Sequence, residues 1–446
     1  MKVIYFDIDT LRMDRLSCYG ASKTTPNIDA LCQDGIRFNN AFASNTPCMP
    51  SRAAVFTGCF GVVNGIETHG KGALSVRTSE ETALARVLSH SGVETVTISS
   101  FGRHPAPWFY NGFTHVIDPS YRCGAENFQR FQGSEVNNAA FEFLKGFHGD
   151  NLFLHLHYWD PHGPLVPPAE FIDAAYTPNT DAVSEEMLKA LSCSNLYRGG
   201  KHANVKTRND LQEIIRLYDA EIAYTDFLIG QMTDFLKSLG IYDECAIILS
   251  SDHGEQYGEA QMILEHGTVH NSCIHIPLLF KPPFARKKSQ QCQSYVYGLD
   301  IAPTVAQLFG ISVPVIWNGI SLFRSAQNQD LRKYIVCEHG LYTCQRAIII
   351  SEWKYVHTYS AGVWDFPEHA LYRISEDFFE QFNVAETYPE ITKRLHSIEK
   401  EWLTTVIQDK PDLLEQIGKD NLQSGLKIAM QITRKYDAQQ EERCTI

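Results

Sequence analysis
Short, mostly apolar runs alternate with stretches of helical period through the first three quarters of the chain. VIYFDID (3–9), TVTISS (95–100), LFLHLHY (152–158) and AIILSSDHG (246–254) are strand-length and rich in β-branched or aromatic residues. Such runs predict strands buried on both faces, as in a mostly parallel sheet. Between them, PNIDALCQDG (26–35), ETALARVLSHSG (81–92) and the long segment 209–240 carry apolar residues at helical spacing, the last ending at Gly240 as a C-cap. Strand alternating with helix predicts an α/β fold: a large, mostly parallel sheet sandwiched by helices.

The texture changes after DIAPTVAQLFGI (300–311). YIVCEHG (334–340), RAIIISEWKYVHT (346–358) and ALYRIS (370–375) are shorter strands separated by turn residues, and a charged helix follows at about 388–407. The expected organisation is a catalytic domain over 1–328 and a smaller α+β C-terminal domain over 329–446. Residues 175–210 have no clear period and are expected to form an excursion near the site.

Composition narrows the class. Of 446 residues, 44% are hydrophobic and 20% charged, ordinary for a globular protein with a substantial core. A formal net charge of −13 makes nucleic acid a poor partner. No apolar run is long enough for a membrane span. The N-terminus reads as a strand and not as a leader, and none of the 12 cysteines forms a C-x-x-C pair. Reduced thiols and a cytoplasmic location are therefore expected.

In open α/β sheets, ligand-binding groups gather beyond the carboxyl ends of the strands. The first strand ends in Asp7-Ile8-Asp9-Thr10, with Asp7 and Asp9 on one side; either acid alone could be a cap or a turn residue. AIILSSDHGE ends in Asp252-His253, which offers oxygen and nitrogen donors to one cation. His155 and His157 share a strand face and read as wall residues, whereas His162 lies past the strand in a D-P-H turn. Arg103 and His104 follow another strand, and LEHGTVHN supplies His266 and His270. Cys48, in NTPCMPSRAAVFTG (45–58), has neither the apolar setting of a structural thiol nor a nearby partner of zinc-ligand spacing.

Cys48, Pro50, Ser51, Arg52, Thr57 and Gly58 resemble the C-x-P-S-R…T-G motif of the type I sulfatases, in the alkaline-phosphatase-like superfamily. The resemblance continues, in order, through DTLRMDRLSCYG, TPNIDALCQDGIRFNNAFA, HYWDPHGP, SSDHGE, the HG at 266, IPLLF, DIAPT and ALYRISEDFFEQFNV. It implies that a maturation enzyme converts Cys48 to formylglycine, whose hydrate attacks the sulfur of a sulfate ester and then expels sulfate. It further implies that Asp9, Asp252, His253 and modified Cys48 hold a divalent metal, usually Ca2+. Arg52 would support the formylglycine oxygens, and His162 would be the general acid. Arg103 and His104 would occupy the family's Lys and His region, and His266 the place of another sulfate-binding lysine.

Two departures stand out: Thr10 replaces a second consecutive acid, with Asp7, on the same face as Asp9, the candidate substitute, and histidine replaces lysine at 266. The expected substrate is a small sulfated mono- or oligosaccharide, which a cytoplasmic enzyme would meet after import. Two other readings stay open: a phosphonate monoester or phosphodiester hydrolase of the same superfamily, and a non-catalytic sulfate- or glycan-binding protein with unmodified Cys48.

Overall fold
The computed structural model describes residues 1–69, 76–99, 107–119, 132–180, 183–193, 205–285, 289–327, 331–362, 364–408 and 410–420. Its strands are β1 (Lys2–Ile8), β2 (Ile36–Phe42), β3 (Asn45–Thr46), β4 (Glu94–Ile98), β5 (His115–Ile117), β6 (Leu152–Tyr158), β7 (Cys245–Ser251) and β8 (Gln256–Tyr257). They continue as β9 (Ile263–Glu265), β10 (Leu278–Lys281), β11 (Gln290–Tyr297), β12 (Ile335–His339), β13 (Cys344–Ile350), β14 (Trp353–Ser360) and β15 (His369–Arg373).

Eight strands form the main sheet in the order β11-β2-β10-β7-β1-β6-β4-β5. Only β10 runs against its neighbours, pairing antiparallel with β2 and β7; the other pairings are parallel. The strand period of two sorts the side chains onto two faces. Ile4, Phe6 and Ile8 of β1, with Ile247 and Leu249 of β7, join a core beneath helices Pro26–Gln33, Gly133–Gly146 and Arg208–Ser238. Val3, Tyr5, Phe153, Ala246 and Ile248 face the other way, onto helices Cys48–Thr57, Leu84–His90 and Ile301–Leu308. Asp7 and Asp9 continue this second, odd-numbered face, so the helix that begins at Cys48 covers them.

The long helix begins with a capping box, in which Thr207 Oγ1 accepts from the Asp210 amide and Asp210 Oδ2 from the Thr207 amide. Gly240 lies just past its end with φ +72°. Helix Cys48–Thr57 is buried along its whole length. It stops at Gly58, whose φ is +63° and where a Cβ would stand 2.6 Å from the Trp317 ring.

A second sheet, ordered β15-β14-β13-β12-β3, packs beneath helix Pro389–Ile407 on its own apolar core. The apparently continuous segment 346–358 is two strands, divided at Ser351 (φ +53°). Helix Glu185–Cys193 lies within the stretch read as an excursion. The edge strand β3 belongs to neither predicted unit alone: Asn45 and Thr46 pair in parallel with Glu338 and His339 of β12. Asn45 Nδ2 donates to Glu67 and, at 3.3 Å, to Glu338 Oε2. Burial, then the neighbouring Glu338 carboxylate, pushes the Glu67 carboxyl well up, so Glu67 can keep its proton.

The fully buried Arg346 anchors this polar seam. It reaches Glu338 Oε1 at 2.7 Å and Asp412 Oδ1 and Oδ2 at 2.9 and 3.0 Å, and stacks against Trp402. Among the described residues no helix is long and apolar enough to cross a membrane. Replacing Arg346 with Met strands buried carboxylates, and unfolding free energy should fall by about 3–5 kcal/mol in urea titrations. A loss under about 1 kcal/mol would show that the seam is not held by this guanidinium.

Candidate active site
Backbone and side-chain hydrogen bonds fix the tips of three parallel strands to one another. The Asp9 amide donates to Tyr158 O at 3.0 Å, the Thr10 amide to Asp252 Oδ1 at 3.1 Å, and the Leu11 amide to Ser251 Oγ at 2.9 Å. Ser251 Oγ in turn donates toward Ile8 O and His253 O. Gly254 allows the turn after His253, since a Cβ there would lie 1.9 Å from Ser272 O. Asp9, Asp252 and His253 are therefore held at one edge of the sheet.

Cys48 and Arg52 stand one helical turn apart, so both face these tips. Ser51 Oγ donates to Asp252 O at 2.6 Å, pinning the helix to β7. The Arg52 guanidinium grips Asp7 through Nε and Nη2 at 2.8 and 3.2 Å. Its Nη1 lies 3.0 Å from Asp9 Oδ2 and 2.8 Å from Asp252 Oδ2. His155 backs Asp7 at 3.1 Å and is itself bound to Thr97, while His157 lies 3.5 Å from Asp9 Oδ2 and is bound to Ser99. These two histidines are walls behind the acids, and Asp7 is held by Arg52 and His155, behind the cluster.

Electrostatics follow from this packing. Burial is the largest influence on Asp7 and Asp9 and opposes their ionisation, but Arg52 together with the neighbouring histidines holds both below the usual carboxylate range. Asp252 goes the other way: burial, with repulsion from Asp9 and Asp7, overrides Arg52 and pushes its carboxyl up. The Cys48 thiol is pushed up by burial and by Asp9 and Asp252, so a thiolate is disfavoured there. Cys48 as it stands is a poor nucleophile.

The chemistry of the donor set fits a divalent cation. Donor atoms of Asp9, Cys48, Asp252 and His253 all lie within 4.8 Å of one another, and all four residues are buried. Asp9 Oδ1 is buried without a hydrogen-bond partner. With all three carboxylates ionised, one guanidinium would leave two negative charges uncompensated; Asp252 is pushed toward its neutral form instead, and a doubly charged ion would relieve that repulsion. His253 is kept neutral, first by burial and then by neighbouring His266, so an imidazole lone pair is available. Thr10, in the place of a second acid, has φ +57° and a buried Oγ1 with no hydrogen-bond partner. The site keeps a neutral oxygen where a carboxylate would otherwise stand.

Two more histidines border this cluster. His162 follows β6, its Nδ1 2.7 Å from Gly163 O and its ring 4.6 Å from Trp159. Burial lowers its pKa. The His266 ring lies 4.3 Å from His253 and 5.7 Å from His162, and its Nδ1 is 3.1 Å from Glu255 Oε1. Burial pulls the His266 pKa down, but Glu255 overrides it and raises it to about 9, so the ring is cationic at neutral pH. Glu255 stands within the SSDHGE motif; its partner 11 residues later is visible only in three dimensions.

His270 instead caps helix Asn271–Ile274 through the Ser272 amide and bonds Phe379 O. Arg103 and His104 lie outside the described residues. A large cleft lined by Arg15, Tyr176, Asp219, Glu259, His270 and Glu380 opens beside the cluster, and Cys48 is not part of its lining.

A mostly parallel α/β sheet with candidate cation ligands at its strand tips is an arrangement suited to metal-assisted hydrolysis. A family profile described as sulfatase matches residues 2–311, and the chain belongs to the sulfatase family of sulfuric ester hydrolases. It is 22% identical to the N-acetylglucosamine-6-O-sulfatase of Bacteroides thetaiotaomicron, covering 92% of this chain and 88% of that one. It is 31% identical to human arylsulfatase K over 43% of this chain and 38% of that one. Among solved structures, one in complex with its substrate D-glucosamine-2-N,6-O-disulfate superposes with TM-score 0.73 at 21% identity, covering 92% and 99% of the two chains. The phosphonate monoester hydrolase of Agrobacterium radiobacter has the same fold, with TM-score 0.72 at 21% identity, covering 90% and 95%.

Asp252→Asn keeps the acceptor for the Thr10 amide and removes a crowded negative charge. Metal analysis of the purified variant should show cation affinity at this site reduced at least ~100-fold. Its metal-free thermal midpoint should stay equal to or above that of the parent, as expected for a residue under repulsive strain. Undiminished cation content would remove Asp252 from the ligand set.

Proposed function
We propose that the enzyme hydrolyses a sulfate ester on a small mono- or oligosaccharide, with formylglycine derived from Cys48 and a divalent cation, Ca2+, held by Asp9, Asp252, His253 and residue 48. The observation that carries this reading is the buried convergence of those four residues, with Asp7, Asp9 and Asp252 around the one Arg52 guanidinium and the His266 ring 4.3 Å from His253. Held by these residues, the cation and a formylglycine hydrate would supply an activated oxygen at residue 48. The two carboxylates suit a hard ion, while His253 makes the donor set less purely oxygen than usual for calcium.

The chain's own groups account for the rest. Arg52 balances Asp7 and Asp9 and keeps a positive charge next to residue 48. His266, cationic through Glu255, attracts the sulfate; Arg103 and His104 are assigned to the same anion-binding side on sequence grounds. With its Nδ1–H committed to Gly163 O, His162 has Nε2 left to protonate the leaving alcohol, and the bound sulfate's charge favours the imidazolium form this needs. The carbohydrate substrate is supported by the names of the similar bacterial sulfatase and of the substrate complex. The unpaired state of the nine cysteines whose side chains are described fits a reducing, cytoplasmic setting and import of small sulfated sugars.

A phosphonate monoester hydrolase is the second reading, favoured by the single acid at the first strand tip and by the similar fold of the Agrobacterium enzyme. Protein from its native host, matured by the formylglycine-generating enzyme, should yield a residue-48 peptide about 18 Da lighter than the cysteine form. It should cleave p-nitrophenyl sulfate faster than a phosphonate monoester; the reverse order would assign the second reading. An unshifted peptide together with no hydrolysis would leave a sulfate- or glycan-binding protein. His162→Asn should reduce kcat about 100- to 10,000-fold on a sugar sulfate, and far less on p-nitrophenyl sulfate, whose leaving group needs no proton. Equal losses on both substrates would take the acid role from His162.

A further inference from the structure
Far along the chain from the strand-tip cluster, the second sheet carries another convergence of metal-binding side chains. His357 on β14 and His369 on β15 stand directly opposite in the antiparallel register. His396 and Glu399, three residues apart on helix Pro389–Ile407, share the face that packs over them. The three imidazole rings form a closed triangle with centroid separations of 5.1, 5.2 and 5.3 Å. Glu399, 2% exposed, places Oε1 at 2.8 Å from His357 Nδ1 and Oε2 at 3.0 Å from His396 Nδ1.

We propose that His357, His396 and Glu399, with water as the fourth ligand, form a second metal site that takes Zn2+ or a similar borderline divalent cation; their donor atoms all lie within 4.8 Å of one another. This site is separate from the catalytic reading and does not depend on it. The donor set, two imidazoles and one carboxylate, is a zinc or cobalt set and a poor one for calcium, which prefers oxygen. Tetrahedral zinc with ligands at 2.0–2.1 Å needs donor atoms about 3.4 Å apart. The His357 and His396 contacts to Glu399, at 2.8 and 3.0 Å, need to open by only about half an ångström to admit the ion.

The surrounding groups suit that role. Tyr359 donates to Glu399 Oε1 at 2.8 Å and Arg346 lies 3.5 Å from the same oxygen, which orients the carboxylate and leaves Oε2 turned to His396. Arg346 is the nearest positive charge, and it is already matched by Glu338 and Asp412. Tyr355 OH stands 2.8 Å from His369 Nδ1 and 3.0 Å from His396 Nδ1, and its single proton can satisfy only one of them. Glu368 approaches His369 Nε2 at 3.6 Å and adds negative charge on the outer side. The ion would fasten the helix to β14.

The test uses full-length Asp252→Asn protein that also carries His253→Asn, so that neither the Asp9–Cys48–Asp252–His253 nor the Cys48–His253–His266 donor group is complete; it is stripped with a chelator and titrated with Zn2+ and Co2+. One zinc per chain should bind, excess Ca2+ should not displace it, and Co2+ should give the intense visible bands of tetrahedral coordination. The thermal midpoint should rise by several degrees on zinc addition. Adding His357→Gln and His396→Gln should weaken zinc binding at least ~100-fold and abolish that rise. In the otherwise native enzyme the same pair should leave sulfatase activity within about twofold, which separates lost metal from lost fold. Absence of zinc binding in the protein carrying Asp252→Asn and His253→Asn, or unchanged binding after both glutamine substitutions, overturns the proposal.

Discussion

The arrangement of this enzyme depends on one buried guanidinium placed among three carboxylates. Arg52 reaches Asp7, Asp9 and Asp252, groups from two neighbouring strands that would otherwise repel one another in a buried site. A single positive charge is too little to neutralise all three in ionised form, and a cation beside residue 48 would make good that shortfall. Asp252 shows the cost most directly, since its ionised form is disfavoured even with Arg52 in contact. The site is thus incomplete by construction, with backbone and hydroxyl hydrogen bonds keeping its acids in place while their charges push apart.

The scaffold supplies the stiffness this requires. Parallel neighbours β7, β1 and β6 end together, and their tips are cross-linked through Tyr158 O, Ser251 Oγ and Asp252 Oδ1. The covering helix has no solvent face, so its two functional residues cannot swing away without opening the core. Behind the acids, His155 and His157 are fastened in turn to Thr97 and Ser99 of β4. Each layer is oriented by the one behind it.

Much of this was legible from residue order. Strand period placed Asp7 and Asp9 on one side, and the strand-end rule drew Asp9, Asp252, His253 and His162 toward one edge. Helix Cys48–Thr57 was not legible as a helix, because a segment buried all round shows no amphipathic period and this one contains Pro50. Helix Gly133–Gly146, amphipathic but opening on glycine and polar residues, was also passed over. The two-residue strand β3 carries no local signal, since its partner lies 293 positions away. The same holds for the pairing of Glu255 with His266 and for the triangle of imidazoles drawn from three separate elements. Such contacts exist only after distant parts of the chain have met.

That distance sets a clock on biosynthesis. The segment leading into residue 48 completes its strand pairing only against residues 338 and 339, which leave the ribosome long after it. At roughly 5–20 residues per second, the delay is about 15–60 s. Throughout that interval Asn45 and Thr46 lack their strand partners. Once β12 docks, that edge is paired and the polar seam of Glu67, Glu338 and Arg346 can close.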